Sequence, residues 1–163
     1  MFQIDRSKKT FLYVLAAGSS IAFSTWAALL NNFVVEVANF SGREIGILQS
    51  LREIPGFLAF TVVFLLVYFR QQNLSALSLI LLGAGTAITG FFPSFLGLYI
   101  TTVLMSIGFH YLETMQTSLS LQWLTKEEAP HELGKILSIR AASTLGVLTI
   151  IYSVLLLFQT SYE

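Results

Sequence analysis

His110, Glu113 and Gln116 stand within two helical turns of one another inside FLGLYITTVLMSIGFHYLETMQTSLSLQWL (residues 95–124), a stretch otherwise apolar enough to cross a bilayer. An ionisable side chain at membrane depth is costly unless it faces a protein interior or a water-filled cavity. On a helix Ser106, His110, Glu113, Thr117 and Ser120 share one face, and Leu104, Ile107, Tyr111 and Met115 take the opposite one. A polar stripe on a greasy span is the pattern of a helix lining an internal path. The chemistry on offer is solute contact or proton relay, because a buried carboxyl can hold or release a proton and imidazole titrates near physiological pH. The alternative is structural glue, with His110 and Glu113 satisfying each other or a neighbouring helix. One such pair offers too few ligands for a metal: the chain has two histidines and no cysteine, and the second copy that a two-helix carboxylate–histidine site requires does not occur. No metal and no cofactor are expected.

Other polar residues fall where apolar ones would be ordinary. Asn31, Asn32 and Glu36 lie in the outer third of the first apolar stretch, with Asn32 and Glu36 four apart on one face; they either bond across helices or line a cavity. Trp26 sits too deep for an interfacial belt and either stacks on a solute or packs. Arg52 and Glu53, at the mouth of the second stretch, either belong to the interface and pair with Arg43 or Glu44, or form a gating ion pair; the Pro55–Gly56 step beside them predicts a kink. Arg140, at the start of the last stretch, either snorkels to the interface or bridges to Glu127, Glu128 or Glu132 as an inner gate. Trp123 fits an aromatic belt, and His131 reads as solvated.

The elements that must position these residues are membrane helices. With 55% hydrophobic and 11% charged residues and a mean hydropathy of +0.74, the composition is far from the roughly 25% charged residues of soluble domains. Zero net charge argues against a nucleic-acid partner, and the absence of cysteine excludes disulfides and thiolate chemistry. A span needs about 20 apolar residues, and five stretches qualify: residues 11–37, 51–69, 74–92, 95–124 and 136–158. The basic start resembles a signal peptide, but the apolar run continues past the roughly 7–15 residues of a signal core and reads as a retained first helix. Ser41 and Glu44 have capping-box spacing, so a helix restarts there. Gly83/Ala87 and Thr86/Gly90 are small residues four apart, a helix-packing pattern in lipid. TKEEAPHELGK (residues 125–135) is the most charged stretch and reads as an aqueous loop. With the N-terminus cytoplasmic, the inner segments hold Arg6, Lys8, Lys9, Arg70, Lys126, Lys135 and Arg140, and the outer ones only Arg43 and Arg52; this bias sets the orientation.

The layout resembles the N-terminal half of a major facilitator superfamily transporter. The resemblance rests on the SGREIGILQS entry to the second helix (Gly42, Ile45, Gly46, Leu48), the glycine-containing third helix, the polar-striped fourth, and the acidic-then-basic KEEAPHELGK that launches the fifth through LSIRAASTLGVL. It covers spans one to five of the family's twelve. The family's Gly-x-x-x-Asp-Arg-x-Gly-Arg-Arg-like loop between helices two and three is not matched by Val67–Asn73, and the antiporter signature of helix five is reduced to Gly146. The resemblance implies an all-α integral membrane protein of the cytoplasmic (inner) membrane, moving a small solute by alternating access, with H+ or Na+ as coupling ion. It also implies a fragment truncated before a sixth span, whose C-terminal half completes the site near the bilayer midplane. A membrane enzyme would show clustered nucleophiles, paired acids or metal ligands, and none occurs. A non-catalytic scaffold or assembly subunit is the competing reading.

Overall fold

The computed structural model describes residues 6–160, with side chains to Phe158. Residues 1–5 and 161–163, and with them the first residues of the basic start and the end at Glu163, lie outside it. Among the described residues the chain is all-helical, and five helices are long and apolar enough to cross a membrane. Helix α1 is Arg6–Glu36. Helix α2, Gly42–Phe57, continues through a 3-10 turn, Ala59–Thr61, into the short α3, Val62–Leu65. Helices α4 (Gln71–Thr89), α5 (Phe95–Trp123) and α6 (Ala129–Thr160) follow.

Local chemistry explains the joints. Asn39 takes a positive φ of 55°, a left-handed conformation that asparagine tolerates better than most residues. It lets Phe40 N–H reach back to the Val34 carbonyl at 2.8 Å, just past the 6→1 bond from Ala38 N–H to the Phe33 carbonyl at 3.2 Å that is typical of a helix C-terminus. Phe40 is thereby folded inward against Phe95, with ring centroids 4.9 Å apart. Ser41 and Glu44 form the reciprocal capping box that their spacing predicts. Pro55 has no N–H to give the carbonyl four residues back, and the helix stops two residues later. Thr61 secures the break: its hydroxyl donates to the Leu58 carbonyl and lies 2.7 Å from the Tyr111 hydroxyl on α5.

The tightest interface joins α4 to α5. Ser75, Ser78, Leu82, Gly85 and Thr89 are the buried face of α4. A Cβ on Gly108 would lie 2.4 Å from the Leu82 nitrogen, and one on Gly85 would lie 2.7 Å from the Met105 nitrogen, so the two backbones touch. The small-residue packing expected at Gly83/Ala87 and Thr86/Gly90 is therefore corrected. Gly83 and Gly90 have open space around them, Thr86 turns to the Ala22 carbonyl of α1, and Gly85 with Gly108 makes the close approach. Helix α2 packs on α5, α6 packs on α1, and α1 also meets α4 and α5. Leu12, Leu15, Leu82, Leu98, Met105, Leu112 and Leu119 fill the centre.

Three boundaries differ from the sequence reading. The second span begins at Gly42 rather than residue 51, because the capped segment is continuous with it. The third begins at Gln71. The charged segment expected as a loop is largely helix, since α6 starts at Ala129 and Pro130 is well tolerated in a first turn.

Candidate functional site

Two polar clusters occupy the middle of the bundle. In the first, Arg140 of α6 reaches α5. Its guanidinium donates to both oxygens of Glu113, Nη2 to Oε1 at 2.6 Å and Nη1 to Oε2 at 3.2 Å, and to Gln116 Oε1 at 2.8 Å. Gln116 in turn donates to the Leu12 carbonyl of α1 at 3.3 Å. One fork-shaped cation thus ties three helices together. Such two-pronged pairing is the geometry arginine offers a carboxylate.

Arg140 lies eleven residues beyond Ala129, about 16 Å along the axis, and Glu113 about 15 Å from Trp123. These distances agree, so the two side chains meet about three turns in from the loop-bearing end of the bundle. The placement of Arg140 at a helix start, snorkelling or bridged to Glu127, Glu128 or Glu132, is corrected. The helix starts earlier than its apolar run, so Arg140 lies three turns in and meets Glu113. Gln116 is buried, while the Glu113 and Arg140 side chains are 33% and 30% exposed. Their exposed portion faces a groove of about 620 Å³ between α5 and α6, which runs past Thr117 and Ser120 to Thr125 and Lys126 at the loop. The hydroxyls of Thr117 and Ser120 line it and donate to no described residue.

The second cluster joins α1, α2 and α5. Arg52 Nη2 lies 2.5 Å from Glu53 Oε1 and its guanidinium sits 5.8 Å from the centroid of the Trp26 ring. Ser106 donates its hydroxyl to the Arg52 carbonyl. The His110 ring rests on Gly56, where a Cβ would come within 2.7 Å of Cε1. A cavity of about 150 Å³ lies between Phe23, Arg52, Glu53, Ser106, Phe109 and His110.

Here too the sequence reading is corrected. Because α2 begins at Gly42, Arg52 and Glu53 lie near the middle of the span rather than at its mouth. They pair with each other, and Glu44 turns to Ser41. His110 and Glu113 do not satisfy each other: His110 faces α2, and Glu113 faces α6. Trp26 is 4% exposed, stacked beside Phe23 at 6.1 Å, and its indole N–H has no partner among the described residues. Asn31 is exposed. Asn32 and Glu36 line a third groove of about 360 Å³ with Trp26, between α1, α4 and Leu155 of α6.

A charged cluster missed in the sequence closes the loop-bearing end. Glu132, only 5% exposed, accepts from Tyr13 and from Lys9 at 3.2 Å, and pairs with Lys135 at 3.4 Å. Lys9 also bonds Glu128 at 3.0 Å, and this hydrogen bond holds the Glu128 carboxyl below the usual glutamate range. The signal available was a basic start and an acidic loop of matching size. Trp123 lies in the same end, under Lys8 and beside Phe11, and His131 is exposed. Among the described residues no group of three or more histidine and acidic side chains could hold a metal ion. The chain matches no family model, no curated protein and no solved structure.

Proposed function

We propose that this chain is one half of a secondary transporter of the major facilitator type, carrying a small solute across the cytoplasmic membrane by alternating access. The observation that carries the reading is the Glu113–Arg140–Gln116 cluster inside two apolar helices, standing at the head of a groove that runs to the loop. Charges so placed generally mark a solute or ion path. The packing order adds support: α2 lies on α5 and α6 on α1, so each of two helix pairs exchanges its second member with the other. That exchange suits an internal repeat related by an in-plane two-fold axis, a common transporter plan.

In this reading the N-terminus is cytoplasmic. With Arg52 and Arg140 paired inside the bundle, Arg6, Lys8, Lys9, Arg70, Lys126 and Lys135 stand toward one end and Arg43 toward the other. This sharpens the bias that sets orientation. The solute, with H+ or Na+ as coupling ion, binds between this half and a second one, and the protein performs no covalent chemistry. The test uses the absence of native cysteine. A Thr117→Cys variant in membrane vesicles is expected to react with a membrane-impermeant maleimide from the lysine-rich side and to be protected from the other. A cysteine unreactive from both sides would refute the path and favour the non-catalytic scaffold, a reading supported by the exposed apolar length of α6, of whose most apolar stretch no residue is buried.

A further inference from the structure

The groove between α5 and α6 is polar at both ends and apolar between them. Glu113, Gln116 and Arg140 form its inner end, Thr125 and Lys126 lie at the loop, and Leu121, Leu124, Leu133 and Leu137 stand between. Its volume of about 620 Å³ is that of a small-molecule site. Two hydroxyls in it are unspent. Ser75, Thr89, Thr114 and Thr149 each donate to the carbonyl four residues back, a common bond for a hydroxyl on a helix. Thr117 and Ser120 line the groove and make no such bond among the described residues, although Ser120 is only 6% exposed. Arg140 spends three N–H groups on Glu113 and Gln116, which leaves Nε–H and one hydrogen of Nη1 unbonded among the described residues.

The charges lining the groove do not cancel. Arg140 and Glu113 neutralise each other. At the loop, Glu128 is turned to Lys9, and Glu132 to Lys9, Tyr13 and Lys135, and neither lines the groove. Lys126 does line it and forms no ion pair among the described residues, so one positive charge is left over. We infer that the groove binds an organic monoanion, with its negative group at Lys126, its apolar body along Leu121, Leu124, Leu133 and Leu137, and an uncharged acceptor at the inner end. There Thr117, Ser120 and the spare N–H groups of Arg140 supply the donors. A second anionic group at that end would meet Glu113, and a cation at the loop would meet Lys126. A lipid chain would lay hydrocarbon against the ion pair and leave the hydroxyls unspent. From Thr117 to Trp123 is about 9 Å of helix axis, room for one ring and a short chain. That this anion is also the solute carried rests on the transport reading, whereas its binding is tested alone, so the two fail separately.

The test is equilibrium binding of radiolabelled 4-(4-hydroxyphenyl)butyrate to the full chain in nanodiscs of zwitterionic lipid, with the corresponding amine and primary amide as charge controls. The carboxylate is expected to bind at least tenfold more tightly than the amine. Lys126 is exposed, so its substitutions leave the packing of the helices intact. Lys126→Gln is expected to reduce carboxylate affinity to that of the amide, Lys126→Glu to reverse the preference toward the amine, and Lys126→Arg to keep it. Leu133→Trp, which fills the groove, is expected to weaken all three ligands at least fivefold. No binding above empty discs, equal affinity for carboxylate and amine, or a preference that survives Lys126→Gln would overturn the inference. Loss of binding when anionic lipid replaces part of the zwitterionic lipid would overturn it too, by giving the groove to a lipid headgroup.

Discussion

The contact between Gly56 and His110 makes a prediction whose size follows from the geometry. A Cβ built on Gly56 lies 2.7 Å from His110 Cε1, 2.9 Å from Nε2 and 3.1 Å from Nδ1, so alanine there meets the Nδ1–Cε1–Nε2 side of the ring. Ordinary carbon contacts fall near ~3.5–4.0 Å, so the imidazole must retreat by most of an ångström, and it is also crossed edge-on by the Phe109 ring with centroids 5.2 Å apart. Overpacking of this kind costs about 1–3 kcal/mol. Against it stands the gain of alanine over glycine in a helix, about 1 kcal/mol. Gly56→Ala alone is therefore expected to be neutral to destabilising by up to about 2 kcal/mol. In a His110→Ala background the clash is gone and only the helix gain remains, so the same substitution becomes stabilising. The coupling between the two sites is expected at about 1–3 kcal/mol, well above the ~0.3–0.5 kcal/mol scatter of independent positions. Equilibrium unfolding of the four proteins in mixed micelles measures it. An additive cycle would refute the packing of His110 on Gly56, and would leave the imidazole free for a role in the path.

Two further outcomes rest on separate observations. Neutralising one side of the α5–α6 ion pair, Glu113→Gln or Arg140→Gln, is expected to lower unfolding stability by about 1–3 kcal/mol, less than the ~3–5 kcal/mol of a fully buried pair because both side chains are partly exposed; the double variant should cost less than the sum of the singles, and strict additivity would argue against the bond. Gly108→Ala is expected to reach or exceed the upper end of the ~1–3 kcal/mol overpacking range, because the atoms it meets, Leu82 N at 2.4 Å and Ser78 O at 2.7 Å, are backbone and cannot turn aside; Gly83→Ala, with open space around it, should be neutral or stabilising by about 1 kcal/mol, and the same unfolding assay reads both.

The sequence carried the helices and lost the pairings, for a reason visible in α5. Five spans, the Ser41–Glu44 cap and the stop after Pro55–Gly56 are local properties, fixed by composition and by residues within one turn of each other. The polar stripe of α5 is also local: Ser106, His110, Glu113, Thr117 and Ser120 share one azimuth on an isolated helix. Azimuth alone does not name a neighbour, because neighbouring helices cross and one direction meets different partners at different depths. At the level of Ser106 and His110 that partner is α2, and a turn further on, at Glu113 and Gln116, it is Arg140 of α6. Depth was misjudged for the same kind of reason. Apolar runs mark where a helix is greasy, not where it begins, and both α2 and α6 start in charged sequence seven to nine residues before their apolar runs. Restoring those turns places Arg52 and Arg140 about three turns from the starts of their helices, where Glu53 and Glu113 are in reach. A rim arginine needs no partner beyond water and lipid headgroups. An arginine turned into the bundle requires one, and Glu53 and Glu113 are the partners in place. The two arginines, which the sequence leaves as either interfacial or gating residues, are thus the ones around which both polar clusters form.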